Sequence, residues 1–342
     1  MKESLGFDSL RTPALSIVIP IYNTEEEYLR PCFASVEGFT RLCQYGVQVV
    51  VVDDGSEPDY AKWLSDALRT YDFEYALYRK NNGGQNSARE LGVQKASGEY
   101  LLFLDSDDRV APDELDLVLR VAVEHRPGIL CFNYDKVSPE GTLIERVSPW
   151  DGGICADVQT ATLLSESNSL FRQLYRRHDL IESGVSFVKG TRLGEDMATA
   201  VALLLQIGNA FCIGAFPYVY VERASSVSHA VLAEYALDSI ESASGMLAQI
   251  DKGNYVKFHD ELELLCVDNV LFYGGVLAVK SIGGGKGTKE AFFDWMADNF
   301  PDWKHNPGIP KLTQERGAMF RLIITGHWRL AALLFKVRLA IH

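Results

Sequence analysis

Paired cysteines are missing from this sequence. Its six cysteines are spread over 342 residues without a CxxC pair, so their spacing indicates neither a disulfide framework nor a zinc site. We therefore expect reduced, mostly buried thiols in a cytoplasmic protein. A GxGxxG stretch is also missing after the first apolar run, which argues against a dinucleotide-binding dehydrogenase.

Long apolar runs and an excess of positive charge are missing as well. The first residues lack the apolar core of a signal peptide, and no stretch reaches the roughly 20 uncharged apolar residues of a membrane span. The formal net charge of -13 argues against nucleic acid as a partner, because nucleic-acid binding needs a basic face. A phosphate-bearing ligand remains compatible with this charge, since a divalent cation can supply local positive charge.

The sequence does contain a regular alternation of apolar strands and helical segments. The alternation indicates an α/β fold, with a mostly parallel sheet flanked by helices. Ligands of such sheets bind beyond the carboxyl ends of the strands. The predicted strands are 15–20, 47–52, 74–79 and 99–104, and the predicted helices are about 24–37, 58–71, 85–96 and 112–125.

The pattern changes after residue 125. Strands are predicted at 128–134 and 216–222, a helix at 195–207, and a mostly helical region from about 230 to 300. The glycine-rich residues 281–288 interrupt that region, and we interpret them as a flexible connection rather than a phosphate loop. The predicted organisation is an N-terminal extension, two halves of one α/β domain, a helical C-terminal region and a basic amphipathic tail: 1–14, 15–125, 126–230, 231–318 and 319–342.

An acidic stretch follows the predicted strand at 99–104. Asp105 and Asp107, separated by Ser106, offer the oxygen ligands that Mg²⁺ and Mn²⁺ prefer in company with substrate phosphates. A solvated turn or a helix cap is the alternative interpretation.

A second acidic stretch follows the predicted strand at 47–52. Asp53 or Asp54 can accept a hydrogen bond from a base or a ribose. The alternative is a strand-to-helix turn in which Ser56 caps the next helix.

A glycine-rich stretch, 82–89 (NGGQNSAR), leads into the predicted helix at 85–96. Backbone N–H groups at a helix start, together with Arg89, form a natural pyrophosphate site. The alternative for Arg89 is a surface ion pair with Glu90 or Glu99.

Four stretches together resemble the bacterial family-2 glycosyltransferases of the GT-A fold, and the resemblance covers residues 15 to about 230. It implies transfer of a sugar from a nucleoside-diphosphate donor, usually of UDP, to an acceptor hydroxyl with inversion at the anomeric carbon. It also implies Mn²⁺ or Mg²⁺ as the cofactor. The stretches are 16–23 (SIVIPIYN), 50–56 (VVVDDGS), 82–84 (NGG) with Ala88, Arg89 and Gly92, and 98–108 (GEYLLFLDSDD).

The resemblance implies a role for each matching residue. Asp105 and Asp107 would form the DxD motif, in which Asp107 binds the metal. Arg89 would lie near the ribose or pyrophosphate, and Asp53 or Asp54 would contact the base. One departure is Glu90, where the family often has Asn. The other residues expected at the nucleotide-sugar site are Pro20, Tyr22, Asn23, Asn82, Gly83 and Ser106.

The part of the chain after residue 125 supplies the remaining expected site residues. The resemblance makes Asp196 the general base, at a helix start where backbone donors keep a carboxylate ionised; a helix cap is the alternative. Arg223 would reach the diphosphate. His229 would be a third metal ligand, for which a cap or surface residue is the alternative.

The expected partners are a nucleotide-sugar donor and a glycan or lipid-linked acceptor, in the synthesis of bacterial surface glycans or exopolysaccharide, and a homo-oligomer is compatible with the sequence. The apolar, basic tail 319–342 is expected to lie as an interfacial helix on the inner face of the cell membrane, or alternatively to pack on protein.

Two other functions stay open: a non-catalytic sugar-nucleotide or carbohydrate-binding protein, and a nucleotidyltransferase. The second would typically carry a basic glycine-rich loop where 20–23 (PIYN) stands.

Overall fold

A ten-stranded sheet forms the centre of the fold. The computed structural model describes residues 3–4, 12–156, 158–223, 235–282 and 286–341. The strands β1 to β10 are Glu3–Ser4, Leu15–Ile21, Val47–Asp53, Tyr75–Arg79, Tyr100–Phe103, Arg109–Val110, Ile129–Val137, Leu143–Val147, Gln173–Arg176 and Ala210–Val221. They lie in the order β1-β4-β3-β2-β5-β9-β7-β10-β6, and β8 pairs with β7.

The first half of the sheet is parallel, as the alternation of strands and helices predicts. Strand β2 pairs in parallel with β3 and β5, and β3 pairs in parallel with β4. Every side chain of β2 is buried, as expected where helices cover both faces of a sheet. The segments that follow β2, β3 and β5 (22–24, 54–56 and 104–108) therefore lie along one edge, which we call the carboxyl edge.

The second half of the sheet is mixed. Strand β9 runs antiparallel to both β5 and β7, while β10 runs parallel to β7 and antiparallel to β6. The sequence pattern does not indicate β9, because its four residues QLYR form no apolar run. Pairing of Tyr218 with Val110 brings the end of β10 beside the acidic stretch that follows β5.

Helices pack tightly against the parallel strands. Leu29, Phe33 and Val36 of α1 join the same buried cluster as Ile17 of β2. A side chain on Gly92 of α3 would place its Cβ 2.2 Å from Cγ1 of Val18, so this helix–strand contact requires glycine. The helices α1 to α7 are Glu26–Leu42, Pro58–Leu68, Gln85–Lys95, Pro112–His125, Thr160–Glu166, Arg177–Glu182 and Glu195–Ile207.

The chain divides into a sheet unit, Met1–Gly190 with Thr199–Ala224, and a helical unit, Thr191–Ala198 with Ser225–His342. The sheet unit ends near the boundary predicted at residue 230, whereas the sequence does not indicate that 191–198 joins the helical unit. The helices α8 to α14 are Asp238–Leu247, Lys252–Lys257, His259–Cys266, Gly275–Ile282, Lys286–Asn299, Ile309–Ile324 and Trp328–Ile341, and a π-helical segment, Val267–Gly274, joins α10 to α11.

One stretch of the helical unit, His259–Lys280, is long and apolar enough to cross a membrane by length and composition alone. We expected no such stretch from the sequence. However, 67% of its apolar window is buried inside the protein, as in the core helix of a globular domain. Among the residues described, no second helix passes the same test.

The C-terminal tail differs from the single amphipathic helix drawn from the sequence. Helix α13 ends at Ile324 and α14 begins at Trp328, because Gly326 adopts a φ of 76°. Arg321 and Arg329 are exposed. Buried apolar residues of the tail pack within the helical unit, as the packing alternative requires: Met319, Phe320, Ile323, Trp328 and Ala331.

The cysteines match the prediction of reduced, mostly buried thiols that their spacing gave. All six are unpaired, and Cys32, Cys131, Cys212 and Cys266 are buried. Cys155 is exposed.

Candidate active site

Asp105 lies at the end of β5 and is held from two sides. Its Oδ1 accepts hydrogen bonds from Nη2 of Arg89 at 2.8 Å and from Nε2 of Gln85 at 2.7 Å. Its backbone N–H donates to the hydroxyl of Tyr218 at 3.3 Å. Helix α3 and strand β10 thus fix both the carboxylate and the backbone of the first DxD residue.

Asp107 forms an ion pair with Arg223. The guanidinium of Arg223 also lies over the ring of Tyr28, 4.6 Å from its centroid. Burial, followed by repulsion from Asp105, raises the pKa of Asp107, and Arg223 partly offsets this rise. The side chain of Asp107 remains 22% exposed, so a ligand can reach this carboxylate.

Asp108 is the third carboxylate of the stretch, and it is buried. Its Oδ2 accepts from the hydroxyl of Tyr218 at 2.6 Å, and its Oδ1 accepts from the backbone N–H of Val221 at 2.8 Å. Burial, then the charges of Asp107 and Asp105, raises its pKa well above the ordinary value. The sequence shows Asp108 but does not reveal Tyr218, because these two residues are 110 positions apart.

Arg89 was expected near the ribose or pyrophosphate, and the structure places it beneath the carboxyl edge. It is only 1% exposed, and its Nη1 donates to Oδ1 of Asn86 at 3.0 Å while Nη2 holds Asp105. Its direct partner is therefore the DxD carboxylate.

The two acidic residues considered as alternative partners of Arg89 form ion pairs with other residues. Glu90, the departure from the family pattern, pairs with Lys189. Glu99 pairs with Arg126 at 2.9 Å.

Asp54 ties the end of β3 to the glycine-rich loop. Its carboxylate accepts from the backbone N–H of Gly83 at 3.1 Å, from that of Gly84 at 2.8 Å and from Nζ of Lys80 at 2.6 Å. Gly84 has a φ of 85°, which L-residues with side chains rarely adopt. Asn82 and Gly83 themselves are exposed on this loop.

Asp53 faces a different environment. Its Oδ1 accepts from the backbone N–H of Ser56 at 2.8 Å, and its Oδ2 lies 3.5 Å from Nε of Arg79. The first contact closes a turn, but Ser56 does not cap the next helix as the turn alternative has it, because the N-cap residue is Glu57. It also lines a cavity of about 280 Å³, together with Pro58, Ala61, Lys62, Ser65, Leu77 and Arg79.

The segment after β2 connects to both neighbouring segments of the carboxyl edge. The backbone N–H of Asn23 donates to Oγ of Ser56 at 3.0 Å, and Asn23 adopts a φ of 48°. Thr24 and Ser106 share a hydrogen bond of 2.6 Å between their hydroxyls. Tyr22 is exposed and Pro20 is buried at the end of the strand.

Two further residues are expected at the site from the sequence, Asp196 and His229. Asp196 is in the first turn of α7 and is half-buried; it belongs to 191–198 of the helical unit. His229 lies outside the described residues, in the segment 224–234.

The donor chemistry of the carboxyl edge fits a divalent cation. Carboxylate oxygens are the preferred ligands of Mg²⁺ and Mn²⁺, and burial, followed by repulsion from Asp105, raises the pKa of Asp107. Within the described residues, no group of three potential ligands forms around Asp107. Substrate phosphates and water would therefore have to complete the coordination.

Comparison with known proteins gives one family. The family model described as Glycosyl transferase family 2 matches residues 16–187, half of the chain. Putative glycosyltransferase EpsH of Bacillus subtilis is 31% identical over 125 residues, covering 36% of this chain and 35% of that protein. Glycosyltransferase GlyG of Streptococcus pneumoniae is 32% identical over 121 residues, covering 35% and 38%. The matched part thus spans less than two-fifths of either curated relative.

Two solved structures resemble the chain over nearly all of its length. S. aureus TarS 1-349 in complex with UDP-GlcNAc has a TM-score of 0.69 at 17% identity, covering 94% of this chain and 91% of that one. Mannosyltransferase PcManGT from Pyrobaculum calidifontis, in complex with GDP-Man and Mn²⁺, has a TM-score of 0.52 at 14% identity, covering 95% and 87%. At such identities the likeness shows a shared fold, and with TarS that fold is GT-A.

Proposed function

The chain belongs to glycosyltransferase family 2, and we propose that it transfers a sugar from a nucleoside-diphosphate donor to an acceptor hydroxyl with inversion at the anomeric carbon. The observation that carries the proposal is the acidic stretch at the carboxyl edge. Asp105 is fixed there by Arg89 and Gln85, and Asp107 beside it stays accessible. A carboxylate held in place next to an accessible one is the arrangement expected of a metal–diphosphate site.

The nucleotide is proposed to lie along the segments that follow β2 and β3. Exposed Tyr22 and the loop at Asn82–Gly83 are available to it, and Asp54 holds that loop through the amides of Gly83 and Gly84. We propose UDP as the nucleotide, because the similar TarS structure holds UDP-GlcNAc. Arg89 then acts indirectly, by orienting Asp105.

Asp107 and the donor diphosphate would together hold Mn²⁺ or Mg²⁺. When bound, the cation supplies positive charge against the leaving diphosphate. The guanidinium of Arg223, already at this carboxylate, is placed to donate to the same phosphates.

Asp196 is proposed to take the proton of the acceptor hydroxyl. As that oxygen bonds to the anomeric carbon, the bond from this carbon to the diphosphate breaks, and the diphosphate carries the electron pair away. One displacement from the opposite face inverts the centre. Its place in the first turn of α7 suits this role, because the N-terminal end of a helix keeps a carboxylate ionised.

A thermal-shift and hydrolysis panel tests the proposal. The full chain is titrated with UDP-GlcNAc, UDP-glucose and GDP-mannose, each with Mn²⁺ or with EDTA, and released nucleotide is measured. A donor that binds the folded protein raises its melting temperature according to RT ln(1 + [L]/Kd). We expect one UDP-sugar to do so only with Mn²⁺. Asp72→Asn, at an exposed aspartate of the sheet unit, is the control, and absence of any shift or hydrolysis would contradict the proposal.

A further inference from the structure

A second cluster of metal-type ligands lies in the helical unit. His259 and Asp260 begin α10, and Glu263 follows one turn later. Residues four apart lie on the same face of a helix, so the imidazole of His259 and the carboxylate of Glu263 point to the same side. One ligand atom from each of the three residues lies within 4.8 Å of the other two. No other such group occurs in the portion of the chain that is described.

Glu263 has a buried oxygen that nothing in the described chain satisfies. The residue is 3% exposed. Its Oε2 accepts a hydrogen bond from Nδ2 of Asn306 at 2.7 Å, whereas its Oε1 is buried without a hydrogen-bond partner among the described residues. Removing a carboxylate oxygen from water without compensation is costly. A bound cation is a direct way to satisfy this oxygen.

The surrounding residues hold the three ligands in place. The ring of His259 lies between Tyr255 and Phe300, with ring centroids at 5.6 and 5.5 Å in edge-on contacts. Asn306 also donates to the backbone oxygen of Asp260 at 2.8 Å. One amide thus fixes both the helix start and the Glu263 carboxylate, as hydrogen-bonding partners around metal ligands commonly do.

We propose that His259, Asp260 and Glu263 bind a divalent first-row transition-metal ion, with Zn²⁺ as the preferred ion. An imidazole nitrogen favours such ions over Mg²⁺ and Ca²⁺, which take oxygen ligands. The side chain of Asp260 is 66% exposed and that of His259 is 39% exposed, so water can complete the coordination. The ion is structural: it fixes the first turn of α10 and the segment around Asn306. This site uses residues of the helical unit alone and does not depend on the proposed sugar transfer.

Zinc titration of the full chain tests the proposal. Protein stripped with EDTA and dialysed is titrated with Zn²⁺ and separately with Mg²⁺ by calorimetry, and its melting temperature is recorded. We expect one Zn²⁺ per chain to bind and raise the melting temperature, with no comparable effect of Mg²⁺ at this site. Glu263→Gln and His259→Gln should abolish this binding. Glu261→Gln, in the same turn but outside the cluster, should leave it unchanged.

Three further results decide the outcome. Asn306→Ala is expected to weaken Zn²⁺ binding by about 10–100-fold, as loss of a supporting hydrogen bond does. Asp107→Asn should keep the zinc site, so zinc binding lost with Asp107 alone would place the ion in the sheet unit and overturn the proposal. Equal binding by wild type and His259→Gln would also overturn it. If Glu263→Gln does not fold, His259→Gln still gives the test, because its ring is partly exposed.

Discussion

Removal of one hydroxyl from Tyr218 should disturb the whole acidic stretch. In Tyr218→Phe the ring stays in its buried position, but Asp108 loses a hydrogen-bond donor at 2.6 Å. The backbone N–H of Asp105 also loses its acceptor at 3.3 Å. The substitution thus removes an atom of β10 that contacts both the backbone of Asp105 and the carboxylate of Asp108.

The cost can be worked out from the burial of Asp108. The residue is 2% exposed, so water cannot replace the lost donor, and its remaining hydrogen bond comes from Val221. A hydrogen bond to a charged group contributes about 1.5–3 kcal/mol. Each kcal/mol lowers the melting temperature by roughly 2–4 °C in a domain of this size.

The penalty should depend on pH. Burial already raises the pKa of Asp108, and the hydroxyl of Tyr218 counteracts this rise by favouring the carboxylate. Without the hydroxyl the pKa rises further. Stability linked to a raised pKa is present at low pH and is lost as pH rises through the folded-state value, so the difference between variant and wild type should grow from acid to neutral pH.

Urea unfolding across that pH range, together with calorimetric titration of UDP and Mn²⁺, measures the effect. Tyr220→Phe is the matched control: it makes the same change two residues along β10, at a hydroxyl for which the described structure records no hydrogen bond. We expect weaker nucleotide binding in Tyr218→Phe only. A penalty equal to that of the control, or one that does not change with pH, would refute the reasoning.

Three other changes separate binding, catalysis and packing. Asp107→Asn should abolish Mn²⁺-dependent UDP binding, measured by calorimetry, while the protein stays folded. In the wild type this binding should weaken on acidification already above the ordinary pKa of Asp, because the pKa of Asp107 is raised. UDP binding that is unaffected by both the mutation and EDTA would contradict the assignment of Asp107 to the metal. Asp196→Asn should leave donor binding nearly intact and slow transfer by about 10²–10⁴-fold; transfer near the wild-type rate would make Asp196 a helix cap. Gly92→Ala should destabilise the protein by about 1–3 kcal/mol through overpacking against Val18, and an unchanged melting temperature would show that α3 can move away.

The parallel strands could be predicted because their sequence signals are local. Strand β3 is rich in valine and ends at an acidic turn, and its observed bounds, Val47–Asp53, differ from the prediction by one residue. Strand β9 could not be predicted, since its pairing with β5 and β7 depends on residues far away in sequence. The break at Gly326 could not be predicted either, because the expectation of an interfacial helix over 319–342 assumes that this helix is continuous.

The site was predicted in its residue types more than in its contacts. Pattern alone identified Asp105 and Asp107, because acidic residues after a buried strand are visible in the sequence. It could not identify Tyr218, which contacts the backbone of Asp105 and the carboxylate of Asp108, since these contacts join positions more than a hundred residues apart. The pattern also does not show that Arg89 forms an ion pair with Asp105.

The electrostatics of the carboxyl edge give a further reason for a cation, which rests on the proposed binding of a donor diphosphate. Asp105 is neutralised by Arg89 and Asp107 by Arg223, but Asp108 accepts only from a hydroxyl and a backbone amide. A donor diphosphate brings further negative charge to an edge that already holds one uncompensated carboxylate. If Arg223 turns to the phosphates, Asp107 loses its ion-pair partner. The guanidinium can therefore neutralise either the Asp107 carboxylate or the phosphates, but not both. A divalent cation is the group that removes this conflict, and we therefore infer that donor and cation bind the chain together rather than independently.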